Sequence, residues 1–340
     1  MGNPALPSLI IVIVLAVSFD IVNGFHDSAN AIATSISTRV LSPRVAILMA
    51  AVCNFFGALI SHNVAGTISQ GLVHGNVEQY VIISALIGAI AWNLITWRLG
   101  LPSSSSHALI GALLGSVLMD TLSAGDVIWS GLLAKVVLPL VLSPVAGFIV
   151  AFLFMKLLLW LLASVSRLVV NRWFSKLQII SAAFMALSHG MNDAQKSMGI
   201  ITLALISGGF LVPPQSGQAA VPVWVILLCA AAMAIGTSMG GSRIIKTVGM
   251  KMIKLTTVDG FAAEASAGAV ITVMSALGNP LSTTHVITSA IMGVGSAKRF
   301  SSVRWSVVRS MVLAWVVTLP ISALLGAAMV LLVKAVIRIS

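Results

Sequence analysis

The chain has 340 residues, of which 59% are hydrophobic and only 8% charged, far below the roughly 25% charged residues of soluble domains. Its net charge is +11, but the bases gather in short loops between apolar runs, as the cytoplasmic loops of membrane proteins do, and this argues against nucleic acid as a partner. Apolar runs of about 18 residues or more recur without short alternating segments, which excludes a membrane β-barrel and predicts an all-α polytopic membrane protein with roughly ten to twelve membrane segments.

In chain order, residues 1–7 hold no Lys or Arg, so the first apolar run reads as a membrane helix and not as a cleaved signal. That run gives way to "NGFHDSANA" from Asn23. A helix over 5–38, broken around Gly24, is predicted, because glycine permits local unwinding. Segments 127–163 and 306–336 are too long for one straight span at about 1.5 Å per residue, and Pro139, Pro144 and Pro320 are the places for a kink or split. Trp97, Trp129, Trp173, Trp224 and Trp305 stand near the ends of apolar runs, where indoles favour the membrane interface. Cys53 and Cys229 lie singly inside apolar runs and read as packing residues.

Two motifs occur twice, in the same order. "NGFHDSANA" from Asn23 returns as "SHGMNDAQKS" from Ser188, which pairs Gly24 with Gly190, Asp27 with Asp193 and Asn30 with Lys196. "LGLPSSSSHALIGALLG" from Leu99 returns as "LGNPLSTTHVITSAIMG" from Leu277, which pairs Pro102 with Pro280, His107 with His285 and Gly115 with Gly293. The expected organisation is a first repeat over 1–163, a cytoplasmic connector over 164–176 and a second repeat over 177–340. Loop charges oppose each other between the copies. Arg39 and Arg44 answer an uncharged stretch at 208–220; Glu78, the one charge in 66–79, answers Arg243, Lys246, Lys251 and Lys254; Asp120 and Asp126 answer Lys298, Arg299 and Arg304. Because Lys and Arg stay cytoplasmic, the copies are predicted to insert with opposite topology and the N-terminus to lie outside. Inverted repeats with broken, re-entrant half-helices are a transporter architecture, with binding near the midplane at the repeat interface.

The polar motifs carry the chemistry. "LPSSSSH" and "NPLSTTH" each place Pro and hydroxyl residues ahead of an apolar stretch long enough for a half-span. This is the signature of a capped helix N-terminus, whose free N–H groups and partial positive charge favour an anion. Ser104, Ser105, Ser106, Ser282, Thr283 and Thr284 are the candidate oxyanion ligands, with Asp27, Asp193 and Gln195 beside them. The plainer alternative is that the hydroxyls bond back to their own helices or join neighbouring ones. His107 and His285 are read as bonding a neighbouring backbone group, with a proton-carrying role as the alternative. Of the eight acids, Asp20, Asp27, Asp193, Asp259 and Glu264 lie in or beside apolar spans, where an ionisable group is costly and functional by default. Asp27 with Asn23 and Asn30, and Asp193 with Asn192, offer hard oxygen ligands for Na⁺, or a carboxylate for H⁺. Glu264 joins them as a cation candidate. Lys196 either neutralises a carboxylate, contacts the anion or forms a structural ion pair; Asp20, outside the duplicated pattern, is open between function and structure.

"NGFHDSANAIATSISTRVLSP", "HGMNDAQKSMGIITLAL", "LPSSSSHALIG", "NPLSTTHVIT" and "GFAAEASAGAVI" together resemble the inorganic phosphate transporter (PiT) family over nearly the whole chain. The resemblance implies a cation-coupled symporter of inorganic phosphate driven by Na⁺ or H⁺, multi-pass in the cell's inner (plasma) membrane. The lipid bilayer and a homodimer are further expected partners, no other cofactor is expected, and arsenate should compete. It also implies roles for the Asp27 and Asp193 positions and for the two oxyanion turns. The chain departs from the family pattern at Asn54, read as the first-half counterpart of Glu264, and at Asn279. A sulfate or other oxyanion carrier on the same scaffold, or an anion channel, are the alternatives; no nucleophile–base set outside the motifs suggests an enzyme.

Overall fold

Each long apolar run becomes a helix whose ends carry a recognisable chemical reason. Proline occupies the first turn of α1 (Leu6–Ser37) and α2 (Pro43–Gly57), where its missing N–H costs nothing. After α3 (Asn63–Gln70) comes α4 (Gln79–Leu99); it stops at Gly100, whose φ of 67° is a left-handed cap that glycine adopts freely. The chain continues with α5 (Ser105–Thr121), α6 (Trp129–Leu132), α7 (Leu138–Leu161), α8 (Arg167–Ser207), α9 (Val223–Met239), α10 (Thr257–Ala276), α11 (Thr283–Lys298) and α12 (Trp305–Ile339). This computed structural model describes residues 5–73, 77–212, 219–241, 244–245 and 247–339. Among them there is no strand, only an isolated bridge between Val73 and Val127.

Leu6–Ser37, Gln79–Leu99, Trp129–Leu161 and Trp305–Val336 are long and apolar enough to cross a membrane. Leu153, Leu157 and Trp160 of α7 and Val316, Leu324 and Leu331 of α12 point outward and are exposed, as side chains facing lipid do.

The buried apolar residues form two large clusters and a small third one around Leu72 and Ile110. Residues 9–19 of α1 lie in one and residues 29–33 in the other. α8 makes the opposite passage, with Phe174, Met185 and Ala186 in the second cluster and residues 198–205 in the first. The pair therefore runs antiparallel, and the polar segments lie between the clusters. Packing across the halves is reciprocal. α1 lies on α9 while α8 lies on α2; α12 covers α4 and α5 while α7 covers α10 and α11.

The structure corrects one local expectation and refines two others. α1 is not broken at Gly24, and α8 runs equally unbroken through Gly190. These glycines serve close helix crossings: a Cβ at Gly24 would stand 2.7 Å from the Met233 carbonyl oxygen, and one at Gly190 would stand 2.2 Å from that of Asn54. The 127–163 segment yields at a π turn, Leu133–Val137, ahead of Pro139, while Pro144 and Pro320 sit inside continuous helices. From Arg167 onward the segment read as a connector is already helical. Of the loops whose charges bore on topology, residues 74–76 and 213–218, Arg243 and Lys246 lie outside the described residues, as does the side chain of Lys251.

Candidate substrate and cation site

The hydroxyl turns open helices in the same way in both halves. Ser104 caps α5 by accepting from the His107 N–H at 3.2 Å, and Ser282 caps α11 by accepting from the His285 N–H at 3.3 Å. The two starts meet. Ser106 Oγ donates to the Leu281 carbonyl oxygen at 2.6 Å, and the rings of His107 and His285 pack edge to face, 4.8 Å between centroids. α5 then runs into one apolar cluster and α11 into the other. Two positive helix ends consequently share one buried region.

The aspartates enter this region from α1 and α8. Asp27 Oδ2 accepts from Ser105 Oγ at 2.8 Å, and Oδ1 lies 2.7 Å from His26 Nδ1 and 3.3 Å from Thr284 Oγ1. Asp193 Oδ1 pairs with Lys196 Nζ at 2.8 Å. Its Oδ2 is approached by His189 Nε2 at 3.3 Å, Asn23 Nδ2 at 3.4 Å and Thr283 Oγ1 at 3.5 Å. Asn30 Nδ2 donates to Thr284 Oγ1 at 2.8 Å. All these side chains are buried. Ligand atoms of Asp27, His189 and Asp193 lie within 4.8 Å of one another. The amide oxygens of Asn23 and Asn30 are buried acceptors with no hydrogen-bond partner among the described residues, which suits oxygen ligation of a hard cation.

Asn192 stands at the edge. With its amide turned to satisfy all its neighbours, Nδ2 donates to Asp193 Oδ1 at 3.3 Å and to the Leu281 carbonyl at 3.2 Å, and Oδ1 accepts from Ser275 at 2.7 Å. Two candidates do not bond with this constellation. Gln195 Oε1 accepts from the N–H groups of Val64 and Ala65, at 2.8 and 3.2 Å, and so holds the first turn of α3. Glu264 forms a separate buried group with Thr34 at 2.5 Å, Ser181 and Gln178. Asn54 bonds Thr237 at 2.8 Å and His189 at 3.1 Å. Asp20 accepts from Ser197 at 2.6 Å. Asp259 is a capping acid: it completes a box with Thr256 at the start of α10 and pairs with Lys298 at 2.6 Å.

Sequence reasoning passed over His26 and His189 as site residues. Both have a sequence signal: His26 directly precedes Asp27, and His189 sits four positions before Asp193, on the same helix face.

Residues 23–326 match the phosphate transporter family (PHO4). A relative from Rhizobium meliloti (strain 1021), described as a probable low-affinity inorganic phosphate transporter, is 46% identical over 327 residues, covering 95% of this chain and 96% of its own. One from Bacillus subtilis (strain 168) with the same description is 44% identical over 324 residues, covering 94% and 95%. Among solved structures, a chain described as the sodium-dependent phosphate transporter superposes with a TM-score of 0.86 at 26% identity, covering 97% of this chain and 99% of that one. With hydroxyl turns, paired aspartates and helix order all in place over that span, this chain belongs to the phosphate transporter family.

Proposed function

We propose that the chain is a secondary active symporter that carries inorganic phosphate through the cell's inner (plasma) membrane together with Na⁺ or H⁺. Its substrate site lies at the interface of two inverted repeats, 1–163 and 177–340, and opens alternately to each side. The observation that carries this reading is the meeting of the α5 and α11 starts beside Asp27 and Asp193. Ser105, Thr283 and Thr284, with free N–H groups of the two first turns, receive the anion. Ser104 and Ser282 keep those turns capped, and Ser106 keeps them in register.

An anion entering a negative interior loses about 2.3 kcal/mol per charge per 100 mV. A cation bound at Asp27, Asn23 and Asn30, with Asp193 and Asn192 beside it, offsets that loss and brings its own gradient. The unpartnered oxygens of Asn23 and Asn30 favour Na⁺ over H⁺ as the ion, since an amide oxygen ligates a metal cation but holds no proton at neutral pH. The name of the structural relative, sodium-dependent, points the same way. The buried carboxylates favour phosphate over sulfate. Phosphate keeps a proton near neutral pH and can donate to a carboxylate, whereas sulfate meets it as bare repulsion. Arsenate, protonated alike, competes.

Labelled phosphate should accumulate in proteoliposomes only with an inward Na⁺ or H⁺ gradient. Uptake indifferent to both gradients refutes symport, and uptake abolished by excess sulfate but not by arsenate refutes the substrate assignment.

A further inference from the structure

Asp27 and Asp193 hold matched places in the duplicated motif but keep different company. The one ionisable group within ion-pair distance of Asp27, among the described residues, is His26. Asp193 has the ammonium of Lys196 at 2.8 Å, one turn along α8, and the lysine side chain is only 1% exposed. Lys196 occupies the position where the first copy has Asn30. The two side chains differ in what they can hold. Asn30 presents an unpartnered oxygen, a ligand for a mobile cation. A lysine ammonium offers three donors and no acceptor, so it cannot ligate a cation and repels one that approaches.

A buried ammonium keeps its charge only when paired and hydrogen-bonded. Lys196 is both: it bonds Asp193 and donates to Ser105 Oγ at 3.3 Å. It places one positive charge against Asp193 and next to the hydroxyl that contacts Asp27. The other ionisable groups around it, among the described residues, are His189 on its own helix, Asp20 and Asp27 on α1 and His107 on α5.

We propose that Lys196 is a built-in cation. It fills the second copy's share of the cation site, so this chain carries one mobile coupling cation fewer per phosphate than the same scaffold with asparagine in both copies. This rests on the symport reading and gives its stoichiometry a structural cause. The mobile cation is left to the Asp27 side, where Asn23 and Asn30 supply oxygens.

Lys196→Asn restores the first copy's residue and is the test. Charge moved per phosphate is read from the reversal potential of proteoliposomes, for wild type and variant, with Na⁺ and pH varied separately. The expected change is a gain of about one elementary charge per phosphate, with a Hill coefficient for the coupling cation higher by about one. An unchanged charge ratio with a raised phosphate KM at every cation concentration overturns the proposal and makes Lys196 a phosphate contact. Where the variant does not turn over, phosphate binding to purified protein is titrated at stepped Na⁺ and pH. A steeper cation dependence in Lys196→Asn than in wild type supports the proposal, and equal steepness overturns it. Lys196→Gln, also an amide, repeats the comparison should the asparagine variant not fold. Wild-type uptake that ignores both gradients defeats symport itself, whereas the difference between variant and wild type judges Lys196 alone.

Discussion

Ser106 Oγ, in the first turn of α5, and the carbonyl oxygen of Leu281, at the entry to α11, are joined by a 2.6 Å hydrogen bond. The two are far apart in the chain, and their contact sets the register of the paired turns. Ser106→Ala leaves a buried carbonyl without its donor, which costs about 1–3 kcal/mol. A lowered melting temperature in detergent and a raised phosphate KM are expected; if both stay put, packing alone holds the turns together.

Asp27→Asn and Asp193→Asn each keep the shape of the side chain and remove its charge. Both variants should lose gradient-driven phosphate uptake, since the carboxylates face the shared hydroxyls and amides. Asp27→Asn should reach the membrane in normal amount, whereas Asp193→Asn leaves the buried Lys196 ammonium without its carboxylate and should also melt at a lower temperature. Wild-type accumulation by either would take that aspartate out of the site.

Ser105→Ala and Thr283→Ala remove hydroxyls that face the aspartates without disturbing the caps at Ser104 and Ser282. One hydrogen bond of about 1 kcal/mol corresponds to a KM several-fold higher. Unaltered KM and maximal rate would reduce these hydroxyls to supports for the helix starts.

Gly190→Ala tests the crossing of α8 with α2. The new methyl would press on the Asn54 carbonyl at 2.2 Å, and such overpacking costs about 1–3 kcal/mol. Yield and melting temperature should fall together. A variant as stable as wild type would mean that the crossing has room to spare.

Lys298→Met is the contrasting case. Lys298 pairs with Asp259 at the start of α10 and is about a third exposed, while Asp259 is buried and keeps the Thr256 N–H and hydroxyl as donors, so the loss is about 1–3 kcal/mol. Phosphate uptake should be unchanged, and a clear fall would tie this cap to transport.

The duplicated motifs point to the meeting of the two hydroxyl turns. Ser104 and Ser282, identical in type and in distance from a histidine, became identical caps; the Asp27 and Asp193 positions became neighbours. This was legible because backbone chemistry at a helix start is local and the repeat displays it twice. Gly24 and Gly190 were misread because glycine has two uses, unwinding and close approach, and the choice depends on a partner helix that the local sequence does not show. The surroundings of Gln195 and Glu264 likewise depend on partner helices. Each lies near a site motif in sequence, yet α3 takes the amide of one, and Thr34, Ser181 and Gln178 enclose the carboxyl of the other.

The cross-cover of the two halves has a consequence for how the protein is made. α5 leans on α12, which the ribosome makes long after it. The turn at Ser104–Ser106 is translated early and has α4 beside it, but it lacks the α12 wall until that helix is made, so the nascent first half must wait with a polar, unfinished seam. A chain truncated before Trp305 would keep every site residue and still lack the surface against which the α5 turn is set.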